Sequence, residues 1–518
     1  MADVFVRFDR GQSFLMDFNF GDLLGEDHLV WTVIDVVDSL DLSPLYARYG
    51  DHPEGGRPAF DPKMMLALLV YGYADGLRSS RQLERACRLD FAYRAITANL
   101  EPDHATIARF RVSLDDQLAS LFAQVLGICR EMGMGKVGLV AVDGTKIEAA
   151  ASKSSNRNSG QLAALEEKAK AILAEAEAAD RAETEAATAA VGRGAGERLE
   201  KIGEAKARLQ AKTPPARGGD SQKEPKVNLT DPDSRMMKRP DGGFLQGYNA
   251  QAVATADQLV VAATVSTDPG DVRLLEPMLA DAAANLAAAG IDTPIGTALA
   301  DAGYWSEANS KIDLGIDLLI ATTKSHQVGK DPQPVNPPTG RQPSLQERAQ
   351  TRRPVIDQAA AGVITLTEAA TILGLSYSRT SYLINDYQRR GDPALELQRQ
   401  PNRLGPSPKP PSSATLARRE METKLAEPEN LHRYRQRGWM IEGIFAHTKT
   451  HRGYRRFLRR GLPAVDAEWK LIHLAANIRK THRHTNQPTP GGQPTPKHHH
   501  PPKRHNRHQN RCHLHTGS

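Results

Sequence analysis

The sequence has few cysteines and no long apolar segment. Its three cysteines, Cys87, Cys129 and Cys512, form no CxxC pair, which excludes a disulfide framework and a zinc ribbon. No apolar run reaches the ~18 residues of a membrane-spanning helix, so we expect no membrane span and no membrane partner. The charged N-terminus lacks the apolar region of a secretory signal. These absences predict a soluble, cytoplasmic protein.

The chain has no strong excess of charge of either sign. Lys and Arg total 67 and Asp and Glu total 61, which gives a formal charge of +6 with His neutral. This small excess favours an anionic partner but does not establish one. A length of 518 residues predicts three to four domains at about 150 residues per domain.

Residues 1–132 predict an all-α N-terminal domain. Their apolar residues recur at helical spacing, and Asp61 is a suitable N-cap before Pro62. Arg109 and Arg111 lie on a further predicted helix. Two interpretations stay open: a helical bundle with a solvated basic face, or a bundle whose arginines contact DNA phosphates.

Residues 135–325 have the pattern of an α/β core. The apolar run GLVAV predicts a buried strand that ends at an Asp143-Gly144 turn. Two β-rich runs around residues 256–258 predict an antiparallel hairpin, and a helix and two strands, within TALADAGYWS and DLLIATT, follow. We therefore predict a mixed sheet. The Ala- and Glu-rich stretch 160–212 predicts an inserted helical hairpin, and residues 213–243 predict a loop.

The second half of the chain alternates between helical and Pro-rich segments. Residues 327–354 and 400–414 predict linkers. A helical island over 355–392 and a helical region over 415–480 lie beside them. From residue 481 to 518 the chain is rich in His and Pro, without apolar periodicity, which predicts a disordered tail. Adventitious metal binding, nonspecific DNA affinity and read-through of an ancestral frame all stay open for this tail.

The island contains a candidate helix-turn-helix. A short helix, a turn at Gly374 and a second helix from about Ser376 fit that motif. The second helix would expose Ser378 and Arg379, side chains that reach bases and phosphates. A helical hairpin used only for packing is the alternative.

Three acids are the candidate catalytic residues: Asp143 and Asp301, each at the predicted end of a strand, and Glu442, on an apolar-faced helix. Any one of them alone commonly just caps a turn. Convergent carboxylates repel each other unless a divalent cation lies between them, and oxygen ligands favour Mg²⁺ or Mn²⁺. Two such ions roughly 3.5–4 Å apart would support an in-line phosphoryl displacement.

Basic residues surround Glu442 in the sequence. Lys449 lies seven positions after it, two helical turns on, and Tyr434 and Arg437 precede it. Cations beside an acidic site can hold the phosphates that flank a scissile bond. A further set of arginines follows a 3-4 spacing, which predicts one basic helical face that would lie along the DNA backbone. Its members are Arg452, Arg455, Arg456 and Arg459, with Arg460 next to them. Ordinary surface charge is the alternative for all of these.

The sequence resembles the DDE transposases of bacterial insertion sequences, in the branch of the IS-eleven-eighty-two type within the IS-four-like superfamily. The resemblance covers roughly residues 20–325 and 425–480. It is carried by RPAFDPKMMLALLVYGYADGLRSSRQLERACRLDFAYRAI with DHATIARFR, by VAVDGTKIEAAASKSSNRN, by NLTDPDSRMMKRPDGGFLQGYNAQAV with ALADAGYWS, and by YRQRGWMIEGIFAHTKTHRGYRRFLRRGL.

This resemblance implies a ribonuclease-H-like α/β core with helical insertions and metal-dependent DNA strand transfer. Asp143, Asp301 and Glu442 would hold two Mg²⁺ or Mn²⁺ ions, and Tyr434, Arg437 and Lys449 would form the family's Tyr-Arg-Glu-Lys signature. The Arg-to-Glu spacing departs from that signature, with four intervening residues instead of three.

The implied partners are double-stranded DNA, as transposon ends and target, and a second copy of the chain or more, in a bacterial cytoplasm at the nucleoid. A DNA-binding regulator and a metal-dependent nuclease without strand transfer are the alternatives. A regulator has no need of the three acids, whereas a nuclease shares the site.

Overall fold

The computed structural model of the chain describes residues 20–48, 59–180, 186–211, 224–239, 242–323, 345–391 and 412–486. They divide into two compact units. The first comprises Met1–Tyr304, Asp313–Leu318 and Arg435–Ser518, and the second comprises Trp305–Ile312 and Leu319–Tyr434.

Within the described residues, the first unit begins with eight α-helices, as the apolar spacing predicts. Asp61 caps the fourth of them by accepting a hydrogen bond from Lys63 N at 2.7 Å, and Asp103 caps the seventh through Ala105 N and Thr106 N. The helices are α1 (Phe20–Leu24), α2 (Leu29–Ser39), α3 (Ser43–Tyr46), α4 (Pro62–Asp75), α5 (Ser80–Leu89), α6 (Phe91–Thr97), α7 (His104–Ser113) and α8 (Leu118–Glu131).

A mixed sheet follows these helices. Its strand order is β4-β5-β1-β7-β8, with β6 also paired to β5. β1 is parallel to β7 and antiparallel to β5, and β5 and β6 form the predicted antiparallel hairpin. The strands are β1 (Leu139–Glu148), β4 (Arg235–Lys238), β5 (Phe244–Thr255), β6 (Val260–Ser266), β7 (Thr297–Ala300) and β8 (Asp317–Ile320), while β2 (Asn156–Arg157) and β3 (Val227–Asn228) form a separate pair.

The predicted turn at Asp143-Gly144 is wrong. β1 continues through both residues to Glu148 and pairs with β5 over this whole length. Gly144 is needed here for space, because a Cβ at this position would lie 2.0 Å from Gln251 Nε2 on β5. The glycine therefore marks a close approach of a neighbouring side chain and not a reversal of the chain.

Two predictions between β1 and β5 have different outcomes. The helical hairpin is confirmed, as α9 (Ser159–Asp180) and α10 (Ala186–Gln210). Leu162, Ala205 and Val227 are among the residues of the hydrophobic cluster at its base. The predicted loop over 213–243 is wrong in part, because the short strands β3 and β4 lie within it, while residues 212–223 and 240–241 lie outside the described residues.

In the first unit, α11 (Leu275–Ala288) packs against β6, and Gly290, with a φ of 69°, follows its end. The second unit is mainly helical, and Gly374, with a φ of 63°, ends the first helix of the predicted helix-turn-helix. The helices are α12 (Glu307–Ser310), α13 (Leu345–Ala360), α14 (Leu366–Leu373), α15 (Tyr377–Arg390), α16 (Ser413–Ala426) and α17 (Pro428–Arg435).

Helices α13, α14 and α15 have a hydrophobic cluster of their own, built on Ile356, Leu383 and Ile384. The predicted linkers are shorter than expected within the described residues, because α13 begins at residue 345 and α16 at residue 413. The rest of both linkers, 327–344 and 400–411, lies outside the described residues.

The chain then returns to the first unit. Two π-helical segments, Gly438–Glu442 and His447–His451, flank the α-helical turn α18 (Gly443–Ala446). The last described helix, α19 (Leu462–Thr485), packs against β6 and against α2, α4 and α8. Residues 481–485 are thus helical, and 487–518 of the predicted tail lie outside the described residues. Among the described helices, none combines the length and apolarity needed to cross a membrane.

Candidate active site

Two of the three predicted acids lie side by side on the sheet. β1 and β7 are parallel neighbours whose register ends at Val142 opposite Ala300. Asp143 takes the next position on β1, and Asp301 directly follows the end of β7, where adjacent chains are about 4.8 Å apart. The pairing of β1 with β7 is therefore what brings together two acids that are far apart in sequence.

Burial dominates the electrostatics of this pair. It raises the pKa of Asp143 to about 6, against the lowering effect of Arg437, while the charge of Asp301 raises it further. Burial also raises the pKa of Asp301. The side chain of Asp143 is only 16% exposed. Two buried neighbouring carboxylates thus need positive charge close to them.

A π-helical turn brings Arg437 and Glu442 together. Arg437 Nη1 donates to Asp143 Oδ2 at 2.9 Å, and Arg437 Nη2 donates to Glu442 Oε1 at 3.1 Å. In a π-helix the backbone bonds join residues i and i+5, so residues five positions apart stack on one side. The four residues between this arginine and this glutamate, one more than the usual signature has, are accommodated by the wider turn.

The segment after Arg437 runs along an edge of β1 that β7 leaves uncovered, because β7 pairs only as far as Val142. Lys449 Nζ donates to Thr145 Oγ1 and, at 3.1 Å, to the Lys146 carbonyl. Farther along, the backbone of Glu148 bonds with Arg455 O and Phe457 N at 3.0 and 2.8 Å. The third acid and a row of cations are therefore fixed beside the two aspartates by the edge of a strand.

The prediction of one basic helical face beyond Glu442 is wrong. The helical segment ends at His451, and the following residues are not helical up to Leu462. The arginines consequently point to different partners: Arg452 donates to Tyr73 O, Arg456 pairs with Glu148, and Arg459 pairs with Asp115. Arg455 is exposed, and Arg460 donates to Ala150 O at 3.0 Å.

The other predicted DNA contacts have different environments. Arg111 is only 8% exposed and donates to Arg78 O, so the expectation of an exposed Arg111 is wrong. Arg109 is exposed and donates to Thr106 Oγ1 at 3.1 Å. In the second unit, Ser378 and Arg379 are exposed on α15. Tyr434 is buried in the second unit, at 5% exposure.

A buried polar network under the aspartates has no counterpart in the sequence interpretation. Asn249 and Gln251 on β5 are almost fully buried and both donate to Asp271 Oδ1, at 2.7 and 2.9 Å. Lys146 Nζ reaches the same oxygen at 3.2 Å, and Tyr304 OH donates to Gln251 Oε1. The Asp-Pro-Gly-Asp sequence that follows strand β6 could have indicated Asp271, since acidic residues directly after a strand are candidates for a functional site.

The acids fit a divalent cation by type but need one side chain to move. As they stand, no three His, Cys, Asp or Glu side chains in the described part of the chain are grouped to hold one ion, because Arg437 lies between Asp143 and Glu442. The Glu442 side chain is 60% exposed, and a Cβ added to Gly438 would lie 3.6 Å from its carboxylate oxygens. A third oxygen ligand for the aspartate pair would require Glu442 to leave Arg437.

The fold and the site define a class: a mixed-sheet protein in which an arginine of a π-helical turn joins a carboxylate of the sheet to a carboxylate of the same turn. Comparison with protein families gives two matches, a "Transposase domain (DUF772)" over residues 18–113 and a "Transposase DDE domain" over residues 409–482. No curated protein and no solved structure matches the chain.

These two matches confirm the resemblance to the DDE transposases of insertion sequences. They support a DNA transposase as the general function of the chain. The first match covers the N-terminal helices and the second covers Glu442, Arg437 and Lys449. Asp143 and Asp301 lie outside both matches, so their assignment depends on the strand register and on the contacts around Arg437.

Proposed function

We propose that the chain is a transposase that cleaves and joins the ends of an insertion sequence by two-metal-ion phosphoryl transfer. Asp143, Asp301 and Glu442 are the proposed ligands of Mg²⁺ or Mn²⁺. Ions bound there would activate the attacking oxygen and stabilise the leaving oxygen of the scissile phosphate. The observation that carries this proposal is the adjacent placement of Asp143 and Asp301 on parallel strands, with Arg437 joining Asp143 to Glu442.

The protein's own cations have distinct roles in this proposal. Arg437 neutralises the charge of Asp143 and holds the Glu442 carboxylate nearby until a metal ion binds. Lys449 is anchored by Thr145 and by the Lys146 carbonyl, and burial lowers its pKa. An ammonium fixed in this way beside the acids suits a phosphate next to the scissile bond.

We infer the DNA contacts from exposure and charge. Arg455 is exposed, while Arg456 and Arg460 line a groove of about 600 Å³ with Ser152, Lys153 and neighbouring residues. These positions suit backbone phosphates, which supply most of the sequence-independent affinity for DNA. Ser378 and Arg379 on α15 are the proposed base or phosphate contacts of the helix-turn-helix. Double-stranded DNA ends and target, and a homodimer or larger assembly on those ends, are the proposed partners, in the bacterial cytoplasm at the nucleoid.

The test is Asp301→Asn in the full chain, on a DNA fragment that carries the terminal repeats flanking the reading frame. The amide keeps the size of the side chain but removes the charge that a cation needs. We expect cleavage in Mg²⁺ to be lost and DNA binding to change by less than about threefold, because phosphate contacts dominate binding. Asp281→Asn is the matched control, since Asp281 is exposed on α11 and accepts from Thr264.

Cleavage by Asp301→Asn at the parent's rate would contradict the site. Hydrolysed ends without joined products in the parent reaction would instead favour the nuclease. Binding without cleavage by the parent would favour the DNA-binding regulator.

A further inference from the structure

The polar network below the aspartates holds a second cation close to the acids. Lys146 lies on β1 and points to the opposite side of the sheet from Asp143, toward Asp271. Burial raises the pKa of Asp301 and the charge of Asp271 raises it further, while the charges of Arg437 and Lys146 lower it. The ion pair of the Lys146 ammonium is with Asp271 Oδ1, at 3.2 Å.

Asp271 and Asp301 face each other across Gly303. A Cβ added to Gly303 would lie 3.0 Å from Asp301 Oδ1 and 3.2 Å from Asp271 Oδ2. The other oxygen of Asp271 accepts from Lys146, Asn249 and Gln251. The two amides come from buried side chains of a central strand, so Asp271 has little freedom to turn.

We propose that Asp271 is a positioning residue, which holds the Lys146 ammonium away from Asp301 and so keeps Asp301 open to a divalent cation. This inference rests on the proposed function of the site. Without the charge of Asp271, the Lys146 ammonium would be free to pair with Asp301, whose carboxylate lies across Gly303 from that of Asp271. Lys146 would then compete with the cation for one of its ligands.

The two amide side chains also connect Asp271 to the residues around Asp143 and Asp301. Gln251 also accepts from Tyr304, which lies three residues after Asp301, and its side chain packs over Gly144, next to Asp143. The network thus joins the chain segments that follow both aspartates. A carboxylate at residue 271 fixes Gln251 and Lys146 together, whereas an amide there keeps the size but loses the ion pair.

The experiment titrates the full chain with Mn²⁺ alone and measures the binding affinity by isothermal titration calorimetry. We expect Asp271→Asn to weaken Mn²⁺ binding by roughly tenfold or more, the range seen when a residue that orients a metal ligand is lost. The double variant Asp271→Asn with Lys146→Met should recover most of this loss, because the competing ammonium is gone. Lys146→Met alone should bind Mn²⁺ as well as the parent or better, and Asp281→Asn should match the parent.

A purely structural role for Asp271 gives a different result. In that case the double variant binds Mn²⁺ no better than Asp271→Asn, and the inference is overturned. Should Asp271→Asn fail to fold, weakened binding by Lys146→Met would overturn the inference by itself. Loss of Mn²⁺ binding in Asp301→Asn but not in Asp271→Asn would reject only the role of Asp271. Absence of Mn²⁺ binding by the parent would reject the proposed function as well.

Discussion

Gly144 is the residue at which the active-site strand meets the polar network. It lies opposite Gln251 in the register of β1 and β5, and a Cβ there would approach Gln251 Nε2 to 2.0 Å and Asn249 Oδ1 to 3.0 Å. Both amides are held by Asp271 and by each other. The neighbours of Gly144 therefore have little room to give way without breaking hydrogen bonds.

We expect Gly144→Ala to lower the free energy of unfolding by about 1–3 kcal/mol, the usual effect of overpacking a filled site. Denaturant unfolding of the full chain measures this change. Gly138→Ala is the matched control, because a Cβ at Gly138, just before the same strand, meets no atom within 4 Å. Equal stability of the two variants would show that the network relaxes freely around Gly144.

Arg437 shows which part of the site the sequence can indicate. Its position near Glu442 follows from the order of residues, but its reach to Asp143 depends on a π-helical turn and on the edge of β1. Neither a π-helical turn nor a strand edge leaves a periodic pattern in the sequence. The same holds for Asp271, whose partners lie on β1 and β5, in separate parts of the chain.

At the scale of elements, apolar and helical periodicity predicted most of what the structure contains. The strand at GLVAV, the hairpin around residues 256–258 and the helical hairpin α9–α10 were predictable because each has a continuous local pattern. The end of β1 was not predictable. An Asp-Gly pair is typical of a turn, but it also occurs within a strand where a side chain of the next strand needs the space that glycine leaves. The basic face after His451 failed because a 3-4 spacing of arginines also occurs in chain that is not helical.

Helix α19 contains a buried histidine that makes the stability of the fold depend on pH. His473 is fully buried, its ring lies 4.2 Å from that of Trp469, and neither ring nitrogen has a hydrogen-bond partner in the described structure. Burial lowers its pKa to about 3, with Arg452 contributing. The folded chain therefore keeps this ring neutral, while the unfolded chain binds a proton below the ordinary pKa of 6.5. This histidine destabilises the fold as the pH falls from about 6.5 toward 3.

We expect His473→Leu to reduce the acid sensitivity of the protein. Its free energy of unfolding, relative to the parent, should rise by up to about 1.4 kcal/mol for each pH unit below 6.5. Denaturant unfolding at pH 7.0, 5.5 and 4.5 measures the difference. His484→Leu, an exposed position on the same helix, should follow the parent. Parallel curves for the parent and His473→Leu would mean that the ring is protonated in the folded state.

The whole molecule consists of two compact units, and the segment that carries Glu442 returns to the first of them after the second. Within the second unit, α13, α14 and α15 share a cluster whose members, from Ile356 to Tyr387, come from these three helices and, at Leu375, from the turn between the last two. A module with its own core fits the predicted insertion of a helix-turn-helix between two parts of a catalytic core. The domain boundaries themselves stay a prediction, since composition marks linkers only to within several residues.

Deletion of residues 345–391 tests this organisation. Because the hydrophobic cluster of the module is its own, we expect the remaining chain to keep its main thermal transition within a few degrees and to bind Mn²⁺ as the parent does. Affinity for end DNA should fall, since the proposed contacts Ser378 and Arg379 are lost, while the nonspecific affinity that comes from the cations beside β1 should persist and stay strongly dependent on salt. The control is Arg379→Ala in the full chain, which removes one exposed cation of α15 and leaves the module folded. It should also lower the affinity for end DNA, but by less than the deletion does.

A deletion variant that loses its thermal transition would make the three helices a packing element of the fold. An unchanged affinity for end DNA in both variants would move end recognition to the N-terminal helices, where Arg109 is the predicted contact that stays accessible.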